Sequence, residues 1–287
     1  MSKVQSISIV IATLGGEFLK STVEHLNQST IRPDEILICM PADEAGKLDF
    51  VLPGNACLIR TPMRGQVAQR ACGLARASGA LVMQLDDDVI LPPDGIELLI
   101  ASLENAGPCS AVAPLFKDCR SGNYATSYRH DLRGVLQSLS ATVIGGAPWG
   151  ARRMGRIDKS GMPYAVDRVY CEGEDLVEVE WLPGGCVLTQ RTDIIVDDYF
   201  PFRGKAYSED VMHSLHWRRK GVRLWISPDV AVCTYVSIAA LTATAIRADF
   251  EARKHVVSLM GGSLVRCWLW FFWIRVRERF VSASSFL

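Results

Sequence analysis

Three consecutive carboxylates, Asp86, Asp87 and Asp88, follow directly on the apolar run 80–85. A short apolar run bounded by polar residues reads as a buried strand. Charge emerging from a buried strand is costly unless it is paired or holds a metal. On an extended segment side chains alternate, so Asp86 and Asp88 face one way and Asp87 the other. Two converging carboxylates suit a hard divalent cation, magnesium or manganese, which keeps positions open for water and phosphate oxygens. Such an ion neutralises charge on a departing diphosphate. The competing reading is an acidic turn with Asp88 as a cap, and placement must decide between the two.

A second acidic pair, Glu209-Asp210, opens a strongly signalled helix over 209–220. Ser208 is placed to cap it, Arg218, Arg219 and Lys220 suit its C-terminus, and Gly221 ends it. By itself the pair reads as helix chemistry, worth about 0.3–1 kcal/mol per acid. His213 and His216 follow at i, i+3 on the same helix. That spacing allows a metal site but favours an ordinary helix face, and Trp217 favours packing over sugar contact.

The elements that must carry these residues are legible early in the chain. Residues 7–13 are a β-branched strand broken by Leu14-Gly15-Gly16, and 17–27 have helical spacing. Residues 35–40 form a second strand, 58–60 a short third, and 66–78 a helix stopped by Gly79. This alternation predicts βαβ units and a parallel sheet. In such sheets ligands bind beyond the carboxyl ends of the strands, where Thr13, Asp43 and Asp86–Asp88 all fall. A helix at 98–105 and a strand at 111–116 follow. Periodicity fades over 117–179, apart from a helical stretch at 131–139. Residues 178–181 and 186–189 flank Pro183-Gly184-Gly185 as an interrupted strand pair. Strands are expected at 222–226 and 230–236, and helix from about 238.

Lys plus Arg balance Asp plus Glu at 31 each in 287 residues. That neutrality argues against a general nucleic-acid binder. The nine cysteines are scattered and none forms C-x-x-C, so zinc-ligand spacing is absent and a reducing compartment is expected. With a core strand at residues 6–13 and no charged or apolar leader before it, a cytoplasmic location is expected.

Over roughly residues 6–236 the chain resembles the family 2 glycosyltransferases, which have the GT-A fold. The matching pieces are the first strand ending at Thr13, an acid after the second strand at Asp43, and Gly65-Gln66-Val67-Ala68-Gln69-Arg70-Ala71-Cys72-Gly73. They continue with Ala77-Ser78-Gly79-Ala80 and the D-x-D-type run at Asp86–Asp88. The helix motif departs from the family at Ala71, where an asparagine is usual. The resemblance implies a nucleotide-sugar donor bound by Thr13, Asp43, Arg70, Asp86 and Asp87, with Asp88 and Asp86 on the metal. It implies Asp210 as the base, with Glu209 orienting it or the acceptor. Trp181, Gly184 and Gly185 then line the site of a saccharide or lipid-linked acceptor. The processive branch's Q-x-x-R-W is absent, since residues 213–217 read H-S-L-H-W, so transfer of a single sugar is expected. The late-strand histidine of many relatives is missing too: either the metal has fewer protein ligands or another residue substitutes, His255 being a distant candidate.

The expected division is a catalytic domain at 1–237, with a donor half at 1–116 and an acceptor half at 117–237. A helical extension at 238–287 follows. Its aromatic run 267–274 is flanked by Arg266, Arg275, Arg277 and Arg279. Within 256–280 this suits a membrane surface or a partner subunit, on the cytoplasmic face. The rival readings are a non-catalytic nucleotide-sugar-binding subunit and a sugar-phosphate nucleotidyltransferase. A dehydrogenase is disfavoured because the spaced G-x-G-x-x-G is absent.

Overall fold

Runs of Ile, Val and Leu build one sheet in the computed structural model, which describes residues 5–44, 46, 48–129, 131–235 and 242–284. Strands β1 (Ile7–Ala12), β2 (Glu35–Pro41), β3 (Ala56–Thr61) and β4 (Leu81–Asp86) pair in parallel in the order β3-β2-β1-β4. β1, β2 and β4 are buried along nearly their whole length, as befits parallel strands covered on both faces. Beyond β4 come β5 (Val89–Ile90), β6 (Ser110–Asp118), β7 (Val177–Val179), β8 (Cys186–Gln190) and β9 (Arg223–Thr234). β8 inserts antiparallel between β4 and β6, and β9 runs parallel to β6. β5 and β7 both pair with β9.

Helices α1 (Leu19–Asn27), α2 (Gln66–Leu74), α3 (Gly95–Ala106) and α5 (Glu209–Arg219) cover this sheet. Alternation along the strands divides the core. Ile9, Ile11, Ile38 and Met83 pack with residues of α1 and α3, while Val10, Leu37, Cys39 and Val82 pack with Leu74 and Ala77. The approach of α2 is close enough to require Gly73. A Cβ there would lie 2.5 Å from both Cys39 Sγ and Val10 Cγ1.

Two compact units result: Met1–Ser127 with Val166–Ile238, and Tyr128–Ala165 with Ala239–Leu287. The second contains α4 (Leu132–Ser140), α6 (Ala243–Met260) and α7 (Leu264–Ser284). The expected boundary kept 117–237 together; in the structure 128–165 groups instead with the C-terminal helices. Its backbone is tied to them, for Ser263 N–H donates to Lys159 O over 2.7 Å. Gly161, at φ +82°, sits where a Cβ would come 2.9 Å from Val257 Cγ2.

Other differences are of pairing. The segments around Pro183-Gly184-Gly185 are not a strand pair, since β7 joins β9 and β8 joins β4 and β6. The two late strands are one, β9, interrupted only by a register shift opposite Pro114 and Leu115. Residues 236–241, at the expected end of that strand and start of the extension, lie outside the described residues. Among the described residues no helix is long and apolar enough to cross a membrane.

Candidate active site

The strand alternation expected for the three aspartates ends at Asp86, because Asp87 and Asp88 form a turn between β4 and β5. The three carboxylates therefore have different neighbours. Asp86 Oδ1 accepts from Arg70 Nη2 (2.5 Å) and Gln66 Nε2 (3.0 Å). Asp87 accepts from the Thr13 hydroxyl, and its carbonyl accepts from Thr22. Asp88 bonds Thr234 at the end of β9. Burial first, then the charges of Asp86 and Asp87, push the Asp88 carboxyl up to about 6. The end of the late strand thus reaches the acidic cluster through Thr234, and Tyr235 beside it stacks on Phe18 with ring centroids 4.0 Å apart. His255 lies on α6 of the second unit.

Arg70 is buried, 3% exposed. Its guanidinium spans from Asp86 on β4 to Glu209 Oε1 on α5 (2.6 Å). Desolvation alone would lower its pKa; Glu209 and Asp86 outweigh this and hold it above the ordinary value. The planar fork of Arg suits two carboxylates at once. Rather than presenting itself to a ligand, Arg70 joins the aspartate turn to the first turn of α5. Tyr199 extends the cluster by donating to Glu209 Oε2 (3.2 Å) and bonding His213 Nδ1 (2.8 Å). His213 is buried and packs at a tilt of 51° against Trp217, with burial pulling its pKa down to about 3. A neutral packed imidazole is the result, in keeping with the helix-face reading.

Asp210 follows Glu209 and lines an open cleft. Burial and the Glu209 charge push its carboxyl up to about 7. The helix starts without the expected cap: Ser208 adopts a left-handed conformation, φ 55° and ψ 21°, and its side chain makes no capping bond. A capping residue needs extended backbone to aim its oxygen at the helix. A left-handed non-glycine residue is costly and recurs at functional sites.

Two clefts meet here. The larger, about 1030 Å³, is lined by Thr13, Gly16, Arg64, Gln69, Asp87 and Phe202 among others. The smaller, about 370 Å³, is lined by Asp86, Phe116, Gly184, Gly185, Glu209 and Asp210 among others. Gln66 and Lys205 belong to both linings.

Gly184 and Gly185 are there because nothing larger fits. A Cβ on Gly184 would meet Glu209 Oε1 at 2.9 Å, and one on Gly185 would meet Asp86 Oδ2 at 3.1 Å. Normally a carboxylate tip could swing away, but Arg70 pins both. Gly184→Ala should therefore displace the Glu209-Asp210 turn and reduce turnover by up to about 10²-fold. The cost in stability should be about 1–3 kcal/mol. Parallel turnover and urea measurements check this.

The remaining expected residues are placed differently. Asp43 is exposed in the turn after β2, outside either lining, while its neighbour Glu44 is buried and accepts from Arg64 Nη1 (2.9 Å). Trp181 is buried, 8% exposed, and belongs to neither lining.

Three glutamines were missed. Gln66 holds Asp86. Gln69 Nε2 donates to the carbonyls of Thr13 and Cys39, both at 2.8 Å, and its Oε1 accepts from Gly65 N–H. Gln84 Nε2 donates to Gly184 O (2.9 Å). A buried polar residue in an apolar strand, as at Gln84, was the available signal.

No group of three or more His, Cys, Asp or Glu converges on one point among the described residues. The donor chemistry nevertheless fits a divalent cation that brings its own oxygen ligands. Asp88 is crowded by two like charges, and Asp86 has one oxygen engaged by Arg70 and Gln66. Asp88 thus has the less engaged carboxylate but belongs to neither cleft lining, whereas Asp86 lines the smaller cleft.

Residues 8–159 match the model of glycosyl transferase family 2. No curated protein sequence matches the chain. Among solved structures, GalNAc-T7 crystallised with UDP, GalNAc and Mn2+ is similar at TM-score 0.57 and 17% identity, covering 86% of this chain and 48% of that one. TarS residues 1–349 from S. aureus, crystallised alone and with UDP, is similar at TM-score 0.51 and 12% identity, covering 88% of this chain and 64% of that one. The chain therefore spans about half to two thirds of these solved proteins. The likeness is one of fold, mixed α/β of the GT-A class.

Proposed function

The chain belongs to glycosyl transferase family 2, and from that premise we propose that it moves one sugar from a nucleotide-sugar donor to an acceptor hydroxyl, inverting the anomeric carbon. The observation that carries this reading is the Arg70 bridge, which couples Asp86, at the end of a parallel strand, to the turn bearing Asp210. Donor-side and acceptor-side carboxylates are thereby held on one rigid strut.

The larger cleft takes the nucleotide, with Thr13, Gln69 and Asp87 in its lining. Uracil is the first base to test, since the similar structures hold UDP. Asp210 removes the acceptor proton while the hydroxyl oxygen bonds the anomeric carbon. The bond from that carbon to the diphosphate breaks, and its electron pair leaves with the diphosphate. A single displacement of this kind inverts configuration. Lys205, in the lining of both clefts, offers a positive charge to the leaving group. Glu209 orients the turn through Arg70 and Tyr199. Magnesium or manganese held by Asp88 and Asp86 would supply further neutralisation of the diphosphate. The acceptor is a saccharide or lipid-linked hydroxyl.

The test is release of nucleoside diphosphate from a panel of nucleotide-sugars, before and after chelation. Metal-dependent release with one donor is expected, lost on chelation and restored by manganese or magnesium. Full activity after chelation would remove the cation from the mechanism. Donor binding with no diphosphate release at all would mark a binding subunit. Pyrophosphate release from a nucleoside triphosphate would mark a nucleotidyltransferase.

A further inference from the structure

The second unit turns part of its apolar surface outward. On α4, Leu132, Val135, Leu136 and Leu139 recur at the spacing of a helix's buried stripe, yet they are 75, 47, 55 and 49% exposed. The side turned inward carries Gly134 and Ser138. A Cβ on Gly134 would fall 1.8 Å from Arg129 O, so that packed side has no room for a larger residue. The helix thus sits with its apolar side out. On α7, Val265, Trp268, Leu269 and Phe272 are likewise exposed, while Cys267 and Trp270 are buried. The two helices are tied together at one corner. Residues Ala141–Gly145 continue α4 as a π-turn, and Arg266 on α7 donates to Val143 O and Ile144 O over 2.8 and 3.0 Å.

Charge distinguishes what could cover this face. The second unit has thirteen Lys and Arg against five Asp and Glu, a net of +8 in a chain whose total is zero, which leaves the first unit at −8. Arg133 on α4 and Arg152 and Arg156 in the segment that follows the π-turn are exposed. Exposed apolar and Trp side chains in a strongly cationic unit suit the headgroup region of an anionic bilayer. With no described helix able to cross a membrane, these helices would lie on the surface. We propose that the α4–α7 face is a docking surface for an anionic lipid bilayer. This inference does not depend on which sugar is transferred, or on transfer itself.

The experiment is co-sedimentation of the full chain with phosphatidylcholine vesicles, with and without phosphatidylglycerol. Binding is expected only with phosphatidylglycerol, and it should weaken as salt rises. The double variants L136E/L139E and V265E/L269E should each weaken it by about tenfold or more. Because these residues are exposed, melting temperature and donor hydrolysis should be unchanged, so failure here is separable from failure of the catalytic reading. Absence of vesicle binding at low salt would overturn the proposal. So would a solution dimer abolished by L136E/L139E, which would show that a second copy covers the face.

Discussion

Asp210→Asn should lower turnover by about 10²–10⁴-fold without unfolding the protein. The wild-type kcat/KM should fall with the deprotonated fraction of Asp210 below about pH 7, where burial and Glu209 have moved its carboxyl, and level off above. The asparagine variant should lose that limb. Stability should move the opposite way. A carboxyl whose folded pKa lies above its unfolded value favours folding at low pH, and that contribution disappears as pH rises through about 7. Asp210→Asn should accordingly melt at a higher temperature than wild type above pH 7 and show no such gain below the ordinary carboxyl range. Near-normal turnover of the folded variant would remove Asp210 from the base role. A gain in stability with loss of activity is what a group held for chemistry at a cost to the fold produces.

Arg70→Met should be the most destabilising single change at the site, by about 3–5 kcal/mol in urea unfolding. Methionine fills much of the volume but leaves Glu209, 6% exposed, without its cation. Asp86 loses the same partner, and the aspartate turn and the α5 turn are uncoupled. Arg70→Lys separates the two effects. One ammonium keeps the charge but cannot hold both carboxylates in a planar fork. Its stability loss should be smaller, with kcat still reduced and donor KM less affected. Loss of stability with unchanged kcat in the Lys variant would show that the bridge serves folding alone.

The elements of the first ninety residues were readable because each is announced locally. β-branched runs give strands, 3.6-residue spacing gives helices, and Gly221 marks a helix end, whereas α2 stops at Leu74, five residues short of the expected stop at Gly79. The acidic cluster was legible for the same reason, as charge placed immediately after an apolar run. The glycine pair at 184–185 was visible as a motif. Its cause was not, because it lies in the carboxylates of Asp86 and Glu209, which come from other parts of the chain. Arg70 could be read as a surface pair or a ligand contact. Only the position of α5 shows it as a buried bridge over a separation of 139 residues.

The sequence by itself thus determined which residues carry charge at strand ends and helix starts, and with them the family. The tertiary structure decided what those residues do to one another. Hydrophobic periodicity reports that a strand or helix buries a face, but it is silent on which partner covers it. Inserting β8 between β4 and β6 brings Gly185 against Asp86. Packing α5 beside α2 lets Arg70 close the circuit to Glu209 and, one residue on, to Asp210. The three aspartates show the same division. Their presence after a strand was plain from the sequence. Their separate partners, Arg70, Thr13 and Thr234, follow from the turn at Asp87-Asp88, which ends strand alternation, and from the distant strands and helices that meet there.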